Sequence, residues 1–154
     1  MAFGAPSLKG RALRYLAQRE HSRAELARKL ARHAEAEDAD AAQAQINLAL
    51  DELAAAGLLS DARAAESVLM AQGRRYGSRR LKQVMQGKGL APELVSHTLQ
   101  QARATEFERA QEVWRRRFGA TPADAAEHAR QARFLLARGF DTDVIRRLLK
   151  RASD

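Results

Sequence analysis

The chain of 154 residues contains no cysteine, which excludes disulfides, thiolate nucleophiles and thiolate-bound metals. Aromatic residues number only eight, and Val, Ile and Thr together number 11. A substantial sheet draws on those residue types, so their scarcity argues against one. No apolar run approaches the roughly 18 to 20 residues that a membrane-spanning helix needs, and "MAFGAPSLKG" has no apolar stretch of secretory-signal length. The expectation is a cytoplasmic protein without a membrane partner. One absence is local: no Asp or Glu occurs between Glu66 and Glu93.

Alanine and arginine fill the space. There are 33 Ala, and 22 Arg against five Lys, for a net charge of +8. Alanine enters helices at the lowest cost and lets backbones approach closely, so an all-α fold of packed helices is expected. The charge points to an anionic partner, although an Ala- and Arg-rich composition is also what a GC-rich genome writes.

Helix punctuation recurs along the chain. Ser22 and Glu25 stand at capping-box spacing, as do Thr105 and Glu108. "TPAD" offers Thr121 as N-cap with Pro122 at the first helical position. Gly57, Gly73, Gly119 and Gly139 are placed to stop helices. These signals predict helices near 8–19, 23–33, 40–56, 61–72, 79–87, 92–103, 106–118, 122–138 and 142–152.

An internal repeat organises them. Residues 88–100 align with 138–150 at an offset of 50, pairing Gly89 with Gly139, Leu90 with Phe140, Val95 with Ile145 and Leu99 with Leu149. A further copy begins at 25–30, where Leu26 and Leu30 correspond to Leu81 and Met85. Three units of three helices follow, at 1–57, 58–104 and 105–154, and stacking them predicts an elongated, curved molecule. The outer face of the last helix carries Arg146, Arg147, Lys150 and Arg151, where the preceding unit has Ser96, His97, Gln100 and Gln101. Genome bias would have spread arginine over both copies.

Catalysis finds little support. His21, His33, His97 and His128 lack any paired spacing, and the acids of 33–40 have no fixed ligand spacing. "GRRYGS" lacks the Lys-Ser/Thr ending and preceding strand of a phosphate loop. No enzyme activity and no cofactor are expected. "SRAELARKL" followed by "INLALDELAAAGLLSD" imitates a winged helix, but 62–72 reads as helix where a β-wing should follow.

The candidate binding residues are therefore basic. Arg74, Arg75, Arg79, Arg80 and Lys82 flank Tyr76, which reads as an exposed loop side chain. Arg115, Arg116 and Arg117 lie between Trp114 and Phe118, two aromatics whose spacing suits the core. Guanidinium groups form paired hydrogen bonds to carboxylate or phosphate, so either partner fits.

Three segments together resemble the bacterial RecX family: "GLLSDARAAE" (57–66), "YGSRRLKQVMQGKGL" (76–90) and "RQARFLLARGFDTDVIRRLL" (130–149), the last with Arg133, Phe134, Arg138 and Gly139 in the family pattern. The likeness runs over about 8–152. Ala64 stands where that family usually has an aromatic, and Ser78 where it usually has proline. The resemblance implies three tandem three-helix repeats in a monomer that binds RecA and the RecA–single-stranded DNA filament. It also implies negative regulation of ATPase, strand-exchange and co-protease activities in recombination, DNA repair and the SOS response. Weak direct DNA binding is compatible with it. Two other readings use the same arginines: a sequence-independent DNA-binding helical module, and a helical scaffold for an unrelated acidic partner.

Overall fold

The computed structural model describes residues 4–153, with side chains described up to Arg151. The described residues form nine α-helices and no strand: α1 (Leu8–Gln18), α2 (Arg23–Ala31), α3 (Ala39–Ala55), α4 (Asp61–Gln72), α5 (Ser78–Gly87), α6 (Pro92–Ala104), α7 (Glu106–Arg117), α8 (Ala125–Ala137) and α9 (Thr142–Ser153). None of them is long and apolar enough to cross a membrane. The all-α expectation holds, and α4 occupies the place where a winged helix would turn into strands.

The chain divides into two compact units. One holds the residues up to Ala65 together with Lys88–Leu90; the other holds Glu66–Gly87 and the chain from Ala91 onward. In the first, α1, α2 and α3 pack on one another around Ala12, Leu26, Leu30, Ile46, Leu50, Leu53 and Leu59. In the second, α7, α8 and α9 enclose Ala110, Leu135, Phe140, Ile145, Leu148 and Leu149, and α5 packs against α6. Val113, Trp114 and Phe134 lie half-buried on that core. Each fully buried Leu-sized side chain contributes roughly 1.5–3 kcal/mol.

The repeat is visible in three dimensions. Residues 88–100 and 138–150 share nearly the same sequence of buried and exposed positions, and Gly89 and Gly139 both take positive φ, at 70° and 84°. Leu26, Leu30, Leu81 and Met85 are all buried, as their alignment requires.

Caps hold where the backbone permits them. Ser22 and Glu25 form the full capping box at the start of α2. Thr105 does not cap α7: its ψ of 6° departs from the extended conformation that aims a capping hydroxyl at the N3 amide. Its hydroxyl instead accepts from Arg109 Nε at 3.1 Å. The start of α8 also differs from expectation. Asp124, in place of Thr121, is the N-cap and accepts from Glu127 N–H at 2.8 Å. Gln131 donates to the Ala120 carbonyl, which ties the segment before Asp124 to α8. Gly73 ends α4 without the left-handed conformation seen at Gly57, Gly119 and Gly139.

Candidate functional site

Position 77 must be glycine for the second unit to close. A Cβ there would overlap the backbone of Phe140, and one on Gly139 would lie 2.5 Å from Arg80 Cβ. The turn before α5 thus lies directly on the turn between α8 and α9. Gly77 N–H donates to the Arg138 carbonyl (2.9 Å) and Arg79 N–H to the Gly139 carbonyl (3.0 Å). Glu106, only 2% exposed, locks the junction. Its carboxylate accepts from Ser78 N–H (2.8 Å), from Ser78 Oγ (3.0 Å) and from Asp141 N–H (3.3 Å). Ser78, which stands where the family usually has proline, is therefore an anchored, buried residue.

The first unit contains a related junction. Ser22 Oγ donates to the Lys88 carbonyl (2.5 Å), and Arg23 N–H donates to Asp61, the first residue of α4 (2.8 Å). Ser78 N–H likewise donates to Glu106, the first residue of α7. Both times, an acid opening one helix holds the amide that opens another.

Arg109 supports the loop that carries the basic residues. Its guanidinium donates to the carbonyls of Gly73 (2.6 Å), Tyr76 (2.7 Å) and Ala102 (2.7 Å). Burial pushes its pKa down, while the charge of Glu106 acts in the opposite direction. Neither Arg109 nor Glu106 stands out in the sequence. The one available signal is the acid at the first position of α7, matching Asp61 in α4.

The arginines of 74–82 separate into two groups. Arg74 and Arg75 line a groove of about 580 Å³ with Arg116, Arg117 and Arg138, alongside Val113 and Phe134. Arg79, Arg80 and Lys82 border smaller depressions along α5. Arg115 and Arg133 are exposed outside that groove. Glu112 on the groove wall binds Arg115 and Arg116, each at 2.8 Å. Their hydrogen bonds, Arg115 first, hold its carboxyl at about 2, well below the usual carboxylate range.

Aromatic rings organise these guanidinium groups. Tyr76 is half-buried, contrary to the exposed side chain expected, because Arg80 (4.2 Å), Arg75 (5.6 Å) and Arg138 (5.7 Å) stand over its ring. Arg138 and Arg117 stand over Phe134 at 5.1 and 5.3 Å. On the last helix, Arg147 and Arg151 lie over Phe107 at 4.9 and 5.3 Å, and Arg146 pairs with Asp143. Lys150 is exposed beside them. Trp114 serves the core as expected, donating to Gln131 Oε1 at 2.7 Å. Among the described residues, Arg74, Arg75, Arg117 and Arg138 have no carboxylate partner. Stacking on a ring occupies the face of a guanidinium and leaves its in-plane N–H donors available to an anion.

Residues 9–42 match the model of the RecX first three-helix domain, and 104–149 match that of the third. The regulatory protein RecX of Leptothrix cholodnii is 53% identical over 95% of this chain and 89% of its own length. That of Ralstonia nicotianae is 47% identical over 95% and 88%. The crystal structure of RecX from Lactobacillus salivarius superposes with a TM-score of 0.78 at 20% identity, covering 95% of this chain and 94% of that one, which shows the shared fold. Matches to the family's first and third domains and close relatives along nearly the whole length place this chain in the RecX family of regulatory proteins.

Proposed function

We propose that this protein binds RecA and the RecA–single-stranded DNA filament and lowers the filament's ATPase, strand-exchange and co-protease activities, without catalysing a reaction itself. One observation carries the reading: Arg74, Arg75, Arg117 and Arg138 converge on one groove without carboxylate partners, and aromatic rings hold Arg75, Arg117 and Arg138 in place. A guanidinium already oriented by packing loses less freedom when it binds. RecA and single-stranded DNA supply carboxylates and phosphates to such a surface. Arg146, Arg147, Lys150 and Arg151 form a second docking patch on α9, exposed along one face.

Reversing charge at Arg74, Arg75, Arg79 and Arg80 together with Arg146, Arg147, Lys150 and Arg151 tests the mechanism. All eight side chains are exposed, so helicity by circular dichroism should stay unchanged while inhibition of RecA ATPase is lost. Full inhibition by this variant would sink the two-patch mechanism.

A further inference from the structure

The groove between the 73–76 loop, α7 and the end of α8 combines apolar and cationic lining. Half-buried Val113 and Phe134 are its apolar lining residues, and arginines outnumber the two lining carboxylates, Glu108 and Glu112. Glu112 is already engaged by Arg115 and Arg116. Such a site complements an apolar side chain flanked by negative charge. Single-stranded nucleic acid meets an obstacle here. A base needs a free ring face on which to stack, but Arg117 and Arg138 cover Phe134, and Phe118 meets it edge-on at 5.3 Å. The other lining carboxylate, Glu108, can also accept from a peptide backbone N–H, a donor that a phosphate chain lacks.

We propose that this groove takes an acidic peptide segment of a protein partner, with one bulky apolar side chain seated against Val113, beside the arginine-covered Phe134, and its flanking carboxylates on Arg74, Arg75, Arg117 and Arg138. The inference deepens the regulatory reading and rests on it for the existence of a protein partner.

The test uses the full chain and a fluorescein-labelled 12-residue peptide of Asp, Glu and Ser with one central Phe, read by fluorescence anisotropy. Replacing that Phe by Ala should weaken binding by about tenfold or more, the order expected for removing a buried large side chain. An Arg74→Glu/Arg117→Glu variant should lose the peptide, while Arg146→Glu/Lys150→Glu on α9 should retain it. Both pairs of residues are exposed, so circular dichroism should show unchanged helicity for each. A 12-nucleotide oligothymidylate should fail to displace the peptide at concentrations where unlabelled peptide does. Equal binding of the Phe and Ala peptides, equal displacement by oligothymidylate, or no binding at millimolar peptide would each overturn the inference. RecA ATPase inhibition by the wild-type chain separates the two readings. Inhibition without peptide binding removes the groove inference alone, and peptide binding without inhibition removes the regulatory reading alone.

Discussion

Glu106 is a carboxylate that serves three chain segments: it opens α7, holds both polar groups of Ser78 and anchors the start of α9 through Asp141. Glu106→Ala leaves buried donors without partners, at a cost of about 2–4 kcal/mol. Urea denaturation should show that loss, and a change below ~0.5 kcal/mol would contradict the role. Arg109→Lys should loosen the 73–76 loop despite keeping the charge, because one ammonium cannot reproduce a planar fork reaching three carbonyls. Faster amide exchange of Arg75 and Tyr76, whose N–H groups bond to Gln72 next to that loop, would register it. In the first unit, burial pushes the Glu25 carboxyl upward, but hydrogen bonds from Arg19 and Ser22 and the charge of Lys88 outweigh it and bring the pKa to about 2. A lowered folded-state pKa gives stability that is present above the ordinary carboxylate range and lost as pH falls toward 2. Glu25→Gln should therefore be less stable than the wild type at pH 6, with the difference narrowing below the ordinary carboxylate range and closing only as pH falls through about 2 in urea titrations. His21 adds an earlier loss. Burial lowers its pKa, so its contribution is present above about pH 6.5 and declines as pH falls. Its neutral ring is fixed by Nδ1–H donating to the Arg19 carbonyl (3.0 Å) and by Lys29 donating to Nε2 (2.8 Å).

Between elements, the turns that meet face to face are the sensitive points. Gly57 and Gly139 both take positive φ, but open space surrounds a Cβ at 57 and Arg80 crowds one at 139. Gly57→Ala should cost about 1–2 kcal/mol in strain alone, and Gly139→Ala distinctly more, with thermal unfolding as the measurement. Equal costs would mean the turn at 139 yields without loss. The nine helices were legible in the sequence because apolar spacing and caps such as Ser22 are local signals. The start of α7 lies at 106 as expected, but its side-chain cap was misread because Thr105 lacks the extended backbone that a cap needs; the start of α8 was misread because Asp124 competes with Thr121 within the same short segment. The junctions were not legible. They join a backbone carbonyl at 88 or 138 to a helix start some 60 residues earlier, and a carbonyl has no sequence signature. The arginines were visible individually, but their sorting into a groove depends on α7 and α8 bringing 116, 117 and 138 beside 74 and 75.

At the scale of the whole molecule, net charge of +8 ensures some attraction to any polyanion. Contacts to naked single strands should therefore be weak and lost as salt rises, with a slope of about −0.7 per neutralised phosphate. Regulation of a filament requires affinity beyond that background. The most direct measurement is a titration of this protein into a single-stranded-DNA-dependent RecA ATPase assay, run beside binding to the same DNA without RecA. Regulation of the filament predicts inhibition at protein concentrations well below those that coat the naked strand. Loss of ATPase activity only at DNA-saturating protein would contradict it and make the arginines a phosphate-binding surface.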